Sequence, residues 1–217
     1  MLYYEGSLCN SHEVTVASYD APYYTMSSFS SWGVPGNLTM KPEIVAPGGS
    51  IYSVNGLTEG GKAYETMSGT SMAAPQIAGL AALVIQYIEE NQLCEKTGLS
   101  ARTPAQSLLM STAKPVLEEQ TGYYYSIMKQ GAGLADVTAA ISADSYILMN
   151  EDATASYADG KVKAELLDDP QRTGDYSFSF TVNNLTDEER TYSLGSSFFT
   201  QETPILPKIV IPLRKWP

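Results

Sequence analysis

Side chains that can exchange a proton near neutral pH are scarce in this sequence. Its 217 residues include a single histidine, His12, and two cysteines, Cys9 and Cys94. Two cysteines at this spacing match no zinc-binding pattern and cannot form a disulfide framework, and we expect no metal site and no cofactor. His12 stands in a Ser-His-Glu context before a predicted strand, which favours a solvated loop over a catalytic role.

Basic residues are also few. The chain carries 13 Lys and Arg against 24 Asp and Glu, which gives a formal net charge of −11 at pH 7. Phosphate binding requires clustered Lys and Arg, and no basic stripe is present. We therefore expect no nucleic-acid partner, and we interpret the acidity as that of a solvated surface.

Long hydrophobic runs are missing as well. No uninterrupted stretch reaches the roughly 18 apolar residues of a membrane span, so we expect no membrane span. The first residues lack the basic region and apolar core of a signal peptide. An apolar fraction of 43% and a charged fraction of 17% are typical of a globular protein. The length fits one large domain, or one domain and a smaller one.

The strongest secondary-structure signal is a helix over residues 71–90. Ile77, Leu80, Val84 and Ile88 repeat at helical spacing, which defines one apolar face. The opposite face is also apolar, with Ala78, Gly79, Ala82 and Leu83. A helix that is apolar all round is normally buried, so the sequence predicts a central helix buried on every side.

Other elements follow from shorter patterns. We expect strands at residues 13–19 and 50–54, a helix from Thr103-Pro104 to about residue 113, and a short helix over 135–141. After residue 144 the pattern changes to alternating apolar and polar positions, which is typical of half-buried antiparallel strands. These runs cover 145–149, 161–167, 175–183, 190–199 and 208–213. They predict part of a β-sandwich, and hence two domains, 1–143 and 144–217.

The segment Gly69-Thr70-Ser71-Met72-Ala73-Ala74-Pro75 is the most informative for function. It places Ser71 where the predicted helix begins, next to backbone N–H groups that lack helical partners. Such a serine can be a nucleophile, and its own N–H can receive the charge of an oxyanion. A serine hydroxyl nevertheless needs a histidine to remove its proton and a carboxylate to orient that histidine.

Two common motifs come close without fitting. The Gly-x-Ser-x-Gly elbow of α/β-hydrolases resembles the residues around Ser71, but that fold needs a histidine after the serine and none follows here. Residues 56–63 resemble a phosphate-binding loop until Ala63, where a Ser or Thr should contact magnesium. We interpret this second segment as a glycine turn.

Three further segments match motifs of one protein family, and they occur in that family's order and at its spacing. They are residues 28–33 (Ser-Phe-Ser-Ser-Trp-Gly), 41–48 (Lys-Pro-Glu-Ile-Val-Ala-Pro-Gly) and 68–79 (Ser-Gly-Thr-Ser-Met-Ala-Ala-Pro-Gln-Ile-Ala-Gly), and residues 108–113 and 130–136 extend them. Over about residues 12–143 the chain resembles the C-terminal part of a subtilisin-like serine protease (a subtilase). It is most similar to large cell-envelope proteinases of the lactocepin type.

The resemblance implies an α/β fold. We expect a partial subtilisin-like parallel sheet with the buried central helix, followed by an antiparallel, fibronectin type III-like β-sandwich portion. It also implies that Ser71 is the catalytic serine of a serine endopeptidase that acts through an acyl-enzyme. Protein or peptide substrates and an extracellular or cell-envelope location are implied in the same way.

The family's aspartate, histidine and oxyanion asparagine have no match in this sequence. His12 precedes the segment that in the family follows the oxyanion asparagine, so it is misplaced for the family's base. We therefore expect a fragment that is inactive in isolation and whose partner is a missing N-terminal half. The alternative is a non-catalytic binding or structural module, or a relic of a protease.

Overall fold

The computed structural model describes residues 2–3, 24–33, 39–56, 63–119, 121–149, 161–164 and 170–195. The strands predicted at 13–19 and 208–213 lie outside these ranges, as do His12 and Cys9.

A β-hairpin precedes the main helix. Strands β4 (Ile51–Val54) and β5 (Tyr64–Met67) pair antiparallel, with Ile51 opposite Met67 and Val54 opposite Tyr64. The Asn55 N–H donates to the Ala63 carbonyl at 2.9 Å and continues the ladder past the strands. The strand predicted at 50–54 is thereby confirmed. A strand, not the helix of a phosphate-binding loop, follows the glycine-containing segment.

Helix α1 runs from Thr70 to Glu90 and confirms the helix predicted over 71–90. Among the described residues, four shorter helices follow it: α2 (Leu93–Thr97), α3 (Arg102–Ser111), α4 (Ile127–Gln130) and α5 (Val137–Ile141). Helix α3 matches the second predicted helix, but Ala101 and not Thr103 is its N-cap residue. Thr103 and Pro104 are instead buried within its first turn.

The main core lies between α1 and α3. Val84 and Ile88 of α1 pack with Leu108 of α3, and the cluster extends to Ala140 of α5 and to Tyr146. All five side chains are buried. Apolar burial of this kind contributes about 25 cal/mol per Å² of surface removed from water, so this cluster stabilises the packing of α1 on α3.

The prediction that α1 is buried on every side is wrong. Within α1, Val84 and Ile88 are its buried residues, whereas Leu83 is 52% exposed. A Cβ placed on Gly79 would meet no atom within 4 Å. The reason is that α2, α3 and α5 all contact the helix from one flank, with β3 (Pro47–Gly49) near its start. No strand of the described residues covers the other flank.

Parallel pairing is limited in the part of the chain that the structure describes. Strand β1 (Leu2–Tyr3) lies between β2 (Thr25–Met26) and β3, antiparallel to the first and parallel to the second. A parallel bridge joins Val45 and Leu134. Helices combined with small sheets agree with the predicted α/β class, although an extended parallel sheet is not present among these residues.

By length and composition alone, α1 could cross a membrane, with a mean hydropathy of 1.4 over its most apolar window. The core helix of a globular protein passes the same test. Helix α1 packs on α3 through Val84 and Ile88, and the Gln76 amide in its second turn donates to the Pro47 carbonyl of β3. Both features are those of a helix that packs on protein.

Strands β6 (Leu117–Glu118) and β7 (Tyr123–Tyr124) form a short antiparallel pair. Beyond residue 144, strands β8 (Ser145–Met149) and β9 (Phe180–Asn184) pair antiparallel. The strand predicted at 145–149 is confirmed, and the one predicted at 175–183 begins only at Phe180. Strand β8 also contacts α3, because the Ser107 hydroxyl donates to the Ile147 carbonyl at 2.7 Å and accepts from its N–H at 3.2 Å. A sandwich and a boundary at 143/144 stay predictions.

Candidate functional site

Ser71 is the second residue of α1, directly after Thr70 and the N-cap residue Gly69. A backbone N–H in the first turn of a helix has no carbonyl one turn earlier to bond to. The positive end of the helix dipole lies at the same place and favours an anion. Ser71 is exposed, and its hydroxyl makes no hydrogen bond with the described residues. The serine thus presents a free hydroxyl beside a favourable position for negative charge.

Hydrogen bonds to the segment before the hairpin fix the start of α1. The Gly69 N–H donates to the Gly48 carbonyl at 2.8 Å. The Gln76 amide donates to the Pro47 carbonyl at 2.8 Å, about two turns further along the helix. Because these contacts bracket Ser71 in sequence, they hold its backbone against strand β3.

A third contact joins the two ends of the hairpin. The Ser50 N–H donates to the Ser68 hydroxyl at 2.8 Å. Ser50 has a φ of 52°, in the left-handed region that a non-glycine residue adopts at some cost. The turn at Ser50 sends the chain into β4, and Ser68 brings it back to the start of α1. The hairpin is therefore anchored immediately beside Ser71.

A groove of about 490 Å³ opens between the hairpin and the first turns of α1. Its walls come from β4, β5 and the helix, and Ser71 is part of its lining. The lining residues are Ile51, Ser53, Val54, Asn55, Gly56, Glu65, Met67, Ser71, Met72, Pro75 and Gln76. A concave, mainly apolar surface with a few polar groups is what a ligand or peptide site requires.

One carboxylate belongs to this groove. The Asn55 amide donates to Glu65 Oε2 at 2.7 Å, across the antiparallel pair of strands. This hydrogen bond holds the Glu65 side chain in place although the residue is exposed. Sequence reasoning missed both residues, because β5 was not predicted. The alternation of Tyr64 and Thr66 after the glycine turn was the available signal.

The three sequence motifs converge on the other side of the helix start. A second groove, of about 220 Å³, is lined by residues of all three. Ser30 and Ser31 come from the first motif, Pro42 and the Ile44–Ala46 segment from the second, and Thr70, Ala73, Ala74 and Ile77 from the third. Segments far apart in sequence thus meet around the helix that carries Ser71.

The described residues bring no histidine to Ser71. The single histidine of the sequence, His12, lies outside the described residues. Glu65 is the one carboxylate that lines the same groove as the serine. The described site consists of an exposed serine at the start of a helix, its backbone N–H and a groove, with no imidazole among the described residues.

Comparison with known proteins agrees with these features. A sequence model described as the Subtilase family matches residues 3–133. The chain is 35% identical over 195 residues to the PIII-type proteinase of Lactococcus lactis subsp. cremoris (strain SK11), which is 85% of this chain and 9% of that protein. It is 37% identical over 182 residues to the PII-type proteinase of Lacticaseibacillus paracasei, with 79% and 9% covered.

A third relative is the C5a peptidase of Streptococcus pyogenes, 34% identical over 163 residues, with 75% of this chain and 13% of that peptidase covered. The chain thus spans about a tenth of the length of the relatives it matches. The family match covers more than half of this chain and contains the helix start, the hairpin and the converging motifs. The chain belongs to the subtilase family of serine peptidases.

Proposed function

We propose that this chain carries the nucleophile of a serine endopeptidase and that Ser71 is that nucleophile. The observation that carries the proposal is the exposed Ser71 hydroxyl at the start of α1, in the lining of a groove large enough for a peptide segment. Family membership supports it independently, because the relatives are named proteinases and peptidases. The proposed substrates are proteins or peptides.

The reaction follows from this geometry. The Ser71 oxygen attacks the carbonyl carbon of a peptide bond and gives its proton to a base. The carbonyl oxygen becomes an oxyanion, which the Ser71 backbone N–H stabilises together with the helix dipole. The intermediate then collapses to a serine ester, and the amine leaves with the proton from the base. Water hydrolyses the ester by the same route in reverse.

The base is inferred from the family resemblance and not from the geometry of the described residues. The family's aspartate, histidine and oxyanion asparagine have no match in this sequence. We infer that a polypeptide equivalent to a subtilase N-terminal half supplies them and that the chain alone is inactive. The uncovered flank of α1 and the open groove formed by the three motifs are consistent with further packing at this helix.

The test combines the full chain with a polypeptide that carries the aspartate, histidine and asparagine motifs of a subtilase. Labelled casein is the substrate, and both a mixture and a fusion of the two polypeptides are assayed. We expect no turnover from the chain alone, turnover from the fusion, and loss of that turnover in Ser71→Ala. Ser111→Ala, an exposed serine on α3, is the matched control and should retain activity.

Two results would overturn the proposal. One is a soluble, folded fusion that does not hydrolyse casein. The other is turnover that Ser71→Ala leaves unchanged. Ser71-dependent turnover by the chain alone would refute only the inferred need for a second polypeptide.

We extend the proposal to organisation and location. Residues 1–143 would form the C-terminal part of a subtilase catalytic domain, and residues 144–217 a fibronectin type III-like sandwich portion. The antiparallel pair β8 and β9, with a further antiparallel bridge between Met149 and Lys161, supports a β-rich second part. The resemblance to cell-envelope proteinases supports an extracellular or cell-envelope location.

A second function is favoured by one observation, the presence of a single histidine in the sequence. On this alternative the chain is a binding or structural module, or a protease relic, and the groove holds peptides without cleaving them. Peptide binding that persists in Ser71→Ala, combined with an inactive fusion, would support the module.

A further inference from the structure

The groove beside Ser71 is apolar along most of its length and acidic at one place. Ile51, Val54, Met67, Met72 and Pro75 supply the apolar lining. The other lining residues are neutral and polar or glycine, with the single exception of Glu65. Among the described lining residues, Glu65 therefore supplies all the formal charge.

The Glu65 carboxylate is positioned but not neutralised by the described residues. Asn55 Nδ2 donates to Oε2 at 2.7 Å, and this neutral donor leaves the negative charge in place. Oε1 has no partner among the described residues. Held by one oxygen, the carboxylate presents the other to a ligand.

We propose that this groove selects a lysine or arginine side chain of the peptide substrate, with Glu65 as the residue that determines the selection. The inference rests on the proposed function, because it deepens the description of the same site. A lysine or arginine combines a long aliphatic stem with a cationic end. The stem matches Val54 and Met67, and the cation matches the free Glu65 oxygen.

The surroundings strengthen the preference for cations. The chain carries a net charge of −11, so its field attracts cationic and repels anionic peptides. Glu65 is exposed, which keeps the direct pairing modest, at the level of a surface ion pair. The expected signature is accordingly a selection by charge that is small in magnitude, specific to one substrate position and sensitive to salt.

The test measures binding without catalysis. Short peptides of alanine and glycine carry lysine, arginine, norleucine or glutamate at one position in turn, and a fluorophore reports binding to the full chain with Ser71→Ala. Norleucine retains the aliphatic stem without the charge. We expect the lysine and arginine peptides to bind about two- to fivefold more tightly than the norleucine peptide at one position. The difference should shrink as salt is added.

Two variants separate Glu65 from the general charge of the chain. In Glu65→Gln the preference for lysine over norleucine should disappear, and in Glu65→Lys it should change to a preference for glutamate. Glu89→Gln is the matched control, because Glu89 is an exposed acid near the end of α1. It should leave the preference unchanged.

The proposal is overturned if no peptide binds, if lysine and norleucine peptides bind equally, or if Glu65→Gln retains the preference. None of these outcomes depends on peptide hydrolysis. An inactive fusion in the casein assay would refute the proposed endopeptidase and leave a Glu65-dependent preference standing. A failed preference with an active fusion would refute only the role of Glu65.

Discussion

Asp136 holds two parts of the chain with one carboxylate, since its Oδ2 lies 2.7 Å from Lys114 Nζ. Its Oδ1 accepts a hydrogen bond from the Ala139 N–H at 2.9 Å and so caps α5. The hydrogen bond from Lys114, followed by that from Ala139, lowers the pKa of Asp136 below its usual 3.8. The same pairing raises the pKa of Lys114.

The lowered pKa of Asp136 predicts that the fold loses stability in acid. A carboxyl whose pKa is lowered by folding stabilises the fold above its unfolded pKa, and that contribution is lost as pH falls through the folded pKa. The Asp136 contribution should therefore be complete above about pH 4 and decline below it. Asp136→Asn retains the cap but not the ion pair, so its urea midpoint should fall less steeply below pH 4. Asp175→Asn, an exposed control, should behave like the parent chain.

Glu43 should add to the same loss of stability at low pH. Burial raises the pKa of Glu43, but Lys41 and Lys163 outweigh it, with Nζ atoms 2.8 and 3.3 Å from Oε1, and the pKa is lowered overall. Its stabilising effect is likewise lost as pH falls below its ordinary value of 4.5. Glu43→Gln should flatten the decline of stability between about pH 5 and 3. A profile identical to that of the parent would contradict the prediction.

Gln130 satisfies two buried backbone groups and should be costly to replace. Its Oε1 accepts from the Val116 N–H at 2.6 Å, and its Nε2 donates to the Tyr125 carbonyl at 2.6 Å. The residue is 1% exposed. Gln130→Met leaves both groups unpaired and should lower the free energy of unfolding by about 3 kcal/mol. Gln86→Met, on the exposed side of α1, should change it by less than about 0.5 kcal/mol. Equal effects in urea unfolding would contradict this contrast.

Gly131 should tolerate no side chain. Its φ is +61°, and an added Cβ would overlap the carbonyl oxygens of Pro42 and Glu43. Gly131→Ala should therefore cost more than about 3 kcal/mol, from backbone strain and steric overlap together. Gly98 has a similar φ of +72° but open space around it, so Gly98→Ala should cost only about 1 kcal/mol. A thermal denaturation series of the two variants tests the difference.

Two leucines distinguish the flanks of the helical core. Leu108 of α3 is fully buried, whereas Leu83 of α1 is 52% exposed. Leu108→Ala should cost about 2–5 kcal/mol, because it removes buried methyl groups and leaves a cavity. Leu83→Ala should cost less than about 1 kcal/mol, since alanine is the better helix former. If both substitutions cost the same, the described exposure of α1 is wrong.

Local patterns predicted the elements that are long or strongly alternating. Helix α1 follows from its apolar spacing, and strands β4 and β8 follow from short β-rich runs. Helices α2 and α4, of 5 and 4 residues, are too short to show a period. The start of α3 was misplaced by two residues, because a Thr-Pro pair resembles a cap and here lies buried inside the first turn.

Burial could not be predicted from composition. The apolar surface of α1 indicated neighbours on every side, but burial depends on which segments reach the helix, and that is a tertiary property. The site shows the same division. Ser71 could be singled out from its place at the start of a predicted helix, and the three motifs from the family resemblance, while the Asn55–Glu65 contact depends on the register of β4 and β5, which no local pattern specified.

The exposed flank of α1, with Gly79 and Leu83, makes the stability of this chain dependent on its surroundings. Any molecule that binds there only when the chain is folded raises the free energy of unfolding by mass action, by about 2.7 kcal/mol at a concentration of 100 times its Kd. The melting temperature then becomes a titration signal for occupancy of that flank. A thermal shift series could rank candidate binding polypeptides before any enzymatic assay exists.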